Sequence, residues 1–261
     1  WKTWDGTAIN TFPYFARTDD TKKIVWGTLL EKAWAKVKGN YVSADGGFTQ
    51  SGMRALIGAP VFWYMKADYT TANIGDLFNI VKLADEANYA MTIGTSGGGN
   101  DQEKNSCNMA KSHAYSVLAA FELTISGSTK KLLLIRNPWG TTAYNGPYNK
   151  ADATWNDAAL LAKVPLGVNP KTSDQQGIFV LPVEKLLESS AGAGDNCYDD
   201  LQISHIIPGY KSSWYDLEDS TVADNVAVTY TMVVPEKKGM LYFTVESYYN
   251  HMIPPACYSD G

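Results

Sequence analysis

The stretch HAYSVLAAFELTI (113–125), followed after SGST (126–129) by KLLLIRN (131–137), constrains this chain more than any other feature. Two runs rich in aliphatic and aromatic residues on either side of a turn sequence predict a β-hairpin. The consecutive apolar residues Leu132 to Ile135 leave the returning strand no polar face, so it must be covered on both sides. The hairpin brings His113 and Asn137 to the same end of the ribbon. Equal arms place the turn near Ile125, whereas the turn letters lie at 126–129, so a bulge or a wider loop has to absorb a few residues. At that end the Asn side-chain carbonyl can accept from one imidazole nitrogen and leave the other free to act as a base. Cys–His–Asn nucleophilic centres use that arrangement. A satisfied structural pair fits the same spacing, and spacing alone does not choose between them.

Around the hairpin the texture is helical first and strand-like later. In WGTLLEKAWAKVKG the apolar residues Trp26, Leu29, Leu30, Ala33, Trp34 and Val37 recur at helical spacing, and Gly39 marks the stop. Further helices are predicted from Thr49 to Leu56, closed by Gly58 and Pro60, and from Ile74 to Ala87. A short strand follows at 89–94. TSGGGNDQEKN (95–105) has no periodicity and reads as a surface loop. Beyond the hairpin, a helix near 155–163, a strand at 177–181, a helix at 183–189 and short strands at 200–207, 225–234 and 239–248 are expected. The fold class is α+β, with a second domain starting near Pro208.

Composition removes several functions. The 261 residues carry a net charge of −5 with no Lys/Arg cluster, which argues against a nucleic-acid surface. No apolar run approaches the ~20 residues of a membrane span. Three cysteines at irregular spacing suggest neither a disulfide framework nor a zinc site, and favour a reducing interior. The chain begins at Trp1 and not at Met, as a piece of a longer protein does.

KSHAYSV (111–117) and LLLIRNPWG (132–140) resemble the histidine and asparagine boxes of the calpain family of cysteine endopeptidases. WGTLLEKAWAKVKGNY, GGFTQSGMRALIGAP, TWND, GIFVLPVEKLL and YDDLQISHI fit successive elements of that family in order. The resemblance implies that residues 1–207 form the second, His/Asn-bearing half of a papain-like catalytic core. Residues 208–261 then begin the β-sandwich domain that follows it. It further implies His113 as general base, Asn137 as its orienting partner and Trp139 as the indole shielding their hydrogen bond. Gly97, Gly98 and Gly99 fall in the loop that gates the cleft.

The chain departs from the family pattern in three ways. It lacks the upstream Cys-Trp box, and Cys107, Cys197 and Cys257 are poorly placed to replace it, so the chain alone is expected not to hydrolyse peptides. Positions matching the family's calcium ligands hold Ala143, Lys150, Gln176 and Ile178, which cannot supply the anionic oxygens calcium requires. Hence no metal and no cofactor are expected. Ser112 replaces a glycine that lets substrate backbone approach the histidine.

Two functions follow. One is an intracellular, cytoplasmic thiol endopeptidase whose cysteine lies in an upstream subdomain and whose partners are protein substrates. The other is an inactive calpain-like interaction module in a larger, cytoskeletal or other, assembly.

Overall fold

The computed structural model describes residues 25–57, 61, 62, 64, 68–95 and 100–186, Ala16, and the short strands β1 (Thr3–Trp4), β2 (Ile9–Asn10) and Ser204–His205. The expected β-sandwich start at 208–261, the strands at 225–234 and 239–248, and the gating glycines Gly97, Gly98 and Gly99 lie outside the described residues.

The chain divides into two compact units. The first contains α1 (Trp26–Val37), which ends as expected before Gly39, whose φ of +94° takes a conformation that favours glycine. Its buried residues are Thr28 and Ala35, while Trp26, Leu29, Leu30 and Val37 are exposed. The Thr28 hydroxyl donates to the Ala16 carbonyl at 3.1 Å, and Glu31 accepts the Ala16 N–H at 2.8 Å. Helical periodicity finds an apolar stripe, but it does not say what covers it. Here the stripe stays open and the more polar side is packed.

The second unit starts at Thr49 and holds α2 (Thr49–Ile57), α3 (Ile74–Glu86) and a five-stranded antiparallel sheet. Its strands are β3 (Met91–Gly94), β4 (Ala114–Ile125), β5 (Ser128–Arg136), β6 (Ile178–Pro182) and β7 (Ser204–His205), in the spatial order β6-β5-β4-β3-β7. The run Leu132–Ile135 is fully buried at 0% exposure, as its unbroken hydrophobicity requires. Side-chain alternation divides the run between the two faces. Leu133 and Ile135 join Leu77, Phe78, Val81 and Ile93 on the α3 side, whereas Leu132 and Leu134 pack with Phe121, Trp155, Val164 and Val180 on the other.

The misfit of the hairpin arithmetic is resolved on the outgoing strand. The turn is only Ser126–Gly127, both at positive φ (50° and 78°), which suits the tight primed turn of a two-residue hairpin. The register then shifts between Val117 and Ala119, so Leu118 is the extra residue of a bulge. Beyond the end of β3 the Ala120 N–H is taken by the Asp85 carboxylate of α3 at 3.0 Å.

After β5 the chain is less regular than expected. The helix predicted at 155–163 is a 3₁₀ turn (Ala153–Asn156) and a short α4 (Ala158–Leu161). Asp157 divides them, because its carboxylate accepts the Ala159 and Leu160 N–H groups as an N-cap. The predicted helix at 183–189 is a 3₁₀ turn over Val183–Leu186, and its last three residues lie outside the described ones.

Candidate active site

His113 precedes β4 and Asn137 follows β5, and the bulge brings their side chains together: Nε2 of His113 donates to Oδ1 of Asn137 at 3.0 Å. The same Oδ1 accepts the Trp139 backbone N–H at 3.1 Å. A backbone N–H can only donate, so this contact fixes which end of the Asn137 amide is the oxygen. The imidazole must then carry its proton on Nε2, and Nδ1 keeps its lone pair. Nδ1 makes no hydrogen bond among the described residues.

The backbones of both residues are held from below. Asn137, 5% exposed, donates its N–H to the Gly177 carbonyl at 2.8 Å, and its own carbonyl accepts from Gly140 N–H at 3.0 Å. Gly177 lies directly against it. A Cβ there would stand 2.6 Å from the Asn137 carbonyl oxygen, and its φ of +76° also favours glycine. On the other side Thr95 is paired with His113 twice. Its N–H donates to the His113 carbonyl at 2.9 Å and its hydroxyl accepts the His113 N–H at 3.1 Å. That hydroxyl in turn donates to Ala110 at 2.7 Å. Sequence reasoning missed both residues. A glycine opening the apolar run at 178–181 was a usable signal for the first, but nothing around Thr95 announced the second.

Trp139 packs on His113 with ring centroids 4.4 Å apart and is 44% exposed. Tyr115 meets the imidazole edge-on at 4.9 Å. Burial pushes the imidazole below its ordinary pKa of 6.5. The Asn137 hydrogen bond and the Asp101 carboxylate pull it back up, and the Lys104 ammonium adds to the depression. His113 is therefore neutral at neutral pH, the state in which Nδ1 can take a proton.

Ser112 keeps a glycine-like backbone, with φ of +44°. A serine side chain in this conformation costs about 1 kcal/mol. Cys107 is buried and disulfide-bonded, which corrects the expectation of no disulfide and of a reducing interior. Three cysteines suffice for one bridge, and spacing carries no signal for an isolated one. With its sulfur bridged, Cys107 is no nucleophile.

Of the four positions that the resemblance matches to calcium ligands, Ala143, Lys150 and Ile178 border a cavity of about 350 Å³. Ala143 and Ile178 have no side-chain oxygen, and the Ala143 carbonyl is engaged by the Asn108 amide at 2.9 Å. Lys150 places its ammonium 2.6 Å from the Asp174 carboxylate. These residues do not fit calcium. A lysine supplies a positive charge at this place instead. Among the described residues no cluster of three or more His, Cys, Asp or Glu could hold a metal. No described helix is long and apolar enough to cross a membrane.

A neutral imidazole with a fixed tautomer, held by an amide beside an indole, is a group able to accept a proton. Sequence comparison gives the family. A model of the family described as "Calpain family cysteine protease" matches residues 7–191. The chain is 35% identical over 133 residues to the calpain-2 catalytic subunit of Mus musculus, covering 50% of this chain and 18% of that protein. It is 34% identical over 135 residues to the calpain-2 catalytic subunit of Gallus gallus, with the same two shares. With the calpain-1 catalytic subunit of Sus scrofa the identity is 31% over 152 residues, 58% of this chain and 19% of that protein. The chain therefore belongs to the calpain family of cysteine proteases, and the matched region spans about a fifth of the length of these relatives.

Two outcomes follow from the geometry. In an NMR titration the His113 ring is expected to titrate below pH 6.5, lower still in Asn137→Ala, which removes a contact that raises it, and higher in Lys104→Ala. Because the folded value lies below the unfolded one, this group contributes stability fully above pH 6.5 and loses it as pH falls through the folded value. A midpoint above 6.5 contradicts this reading. Gly177→Ala must displace the Asn137 carbonyl, and is expected to cost about 2–4 kcal/mol in urea unfolding. An unchanged midpoint would show that the close approach is not real.

Proposed function

We propose that this chain is the His/Asn half of a calpain-type thiol endopeptidase, with the nucleophilic cysteine supplied by a subdomain outside these 261 residues. The observation that carries this reading is the Nε2–Oδ1 hydrogen bond at 3.0 Å, with no hydrogen bond to Nδ1 among the described residues. In the proposed division, residues 1–207 belong to the papain-like core and 208–261 begin a β-sandwich domain. The exposed apolar residues of α1, among them Trp26, Leu29 and Leu30, suit contact with the cysteine-bearing subdomain.

The chemistry follows from the tautomer. Nδ1 of His113 takes the thiol proton, and the thiolate attacks the peptide carbonyl. As the tetrahedral adduct collapses, the imidazolium returns that proton to the leaving amine, and an acyl-enzyme remains. Nδ1 then removes a proton from water, which attacks the acyl group and regenerates the thiol. Asn137 acts through His113 by holding Nε2–H throughout. Trp139 keeps water from that bond, and the glycines Gly97, Gly98 and Gly99 gate access.

The Lys150–Asp174 pair supports a second reading, in which a family member without this calcium site serves as an inactive interaction module. Labelling the full-length protein with a thiol-reactive epoxide separates the two. The protease reading expects one upstream cysteine to be labelled, with labelling abolished in His113→Ala. No labelled cysteine upstream leaves the module.

A further inference from the structure

Trp139 has a second neighbour. The Lys104 ammonium lies 4.5 Å from the centroid of the indole ring, which also packs on His113. Lys104 is exposed, and among the described residues no carboxylate lies within ion-pair range of it. On the same segment Lys111 is paired with Glu103 at 3.9 Å, and the Asp101 carboxylate accepts from the Gln102 amide at 2.9 Å. Among the described residues, Lys104 is thus the cation left without an acidic partner beside the imidazole, and its charge is felt there.

The backbone under Lys104 is built. Lys104 bridges to Ala110, and the Glu103 carbonyl accepts the Lys111 N–H at 2.9 Å. The Asn105 side chain accepts the N–H groups of Cys107 and Met109, each at 3.0 Å. The tip is pinned to the neighbouring loop by Asn145 N–H on the Cys107 carbonyl at 3.2 Å and by the Asn108 amide on Ala143. Cys107, Met109 and Ala110 are buried. The ammonium therefore projects from a fixed ribbon toward an aromatic face one ring away from the base.

We propose that Lys104 and Trp139 form a carboxylate-reading subsite that takes an aspartate or glutamate side chain of a peptide next to the bond on which His113 acts. This rests on the protease reading only for the position of that bond. An extended peptide rises about 3.3 Å per residue with side chains on alternate faces, so a residue adjacent to the scissile bond can reach this ammonium. The indole holds the ammonium by its π-face without neutralising it, and leaves its N–H donors for the incoming carboxylate. A covering peptide removes water from the new pair and strengthens it beyond an ordinary surface contact.

The test uses fluorescently labelled hexapeptides, each carrying one glutamate or glutamine at a given position, with fluorescence anisotropy on the full-length protein. At one position the glutamate peptide is expected to bind about fivefold tighter than its glutamine counterpart, with the ratio shrinking in high salt. Lys104→Ala brings the ratio to about one, Lys104→Arg keeps it, and Lys104→Glu reverses it in favour of a lysine peptide. A preference that survives Lys104→Ala, or equal or absent binding of both peptides, overturns the subsite. So does a preference that follows a free over an amidated C-terminus in place of the side chain. The readout is binding. A glutamate preference without hydrolysis sinks the protease reading and leaves the subsite, whereas hydrolysis without the preference does the reverse.

Discussion

One oxygen atom organises this site. Oδ1 of Asn137 accepts from both the Trp139 backbone and the His113 ring. The first contact fixes the amide orientation and the second then fixes the imidazole tautomer. Much of the surrounding structure keeps that atom in place. β5 delivers Asn137 to the end of the sheet, and the carbonyl of Gly177, just before β6, receives its N–H. The Leu118 bulge draws His113 into reach, and Thr95 ties the histidine backbone to the end of β3. A shift of one residue in the hairpin register would turn alternate side chains to the other face and dissolve the pair.

The parts that were legible in the sequence follow from local periodicity. Unbroken hydrophobicity in Leu132–Ile135 required cover on both faces, and two clusters provide it. The unequal arm lengths required a bulge, and one exists, although on the outgoing strand and with a tighter turn than the letters suggested. Contacts between distant segments were not legible. The exposed stripe of α1, the bridge at Cys107 and the close approach of Gly177 to Asn137 depend on which segments meet, and no local pattern encodes that. Asp157 shows a local rule defeating another, since a good capping residue split what helical spacing read as one element.

The charges around the imidazole oppose each other. Burial and Lys104 favour the neutral ring, whereas Asn137 and Asp101 favour the cation. The net effect holds the ring below its ordinary pKa of 6.5, so it is neutral at neutral pH. Away from this centre Lys150 and Asp174 join the loop after β5 to the turn before β6. A partly exposed pair of this kind contributes about 0.2–1 kcal/mol. Its interest is chemical: it places a covalently attached cation at the wall of the cavity between these two segments.

The central claim is that Asn137 sets the His113 tautomer. Nitrogen-15 NMR of the ring at neutral pH reads this directly, because a protonated and a bare imidazole nitrogen have distinct signals. A protonated Nε2 and a bare Nδ1 are expected, with the two signals collapsing to an average of both tautomers in Asn137→Ala. A proton on Nδ1, or an averaged ring in the unaltered protein, would contradict it.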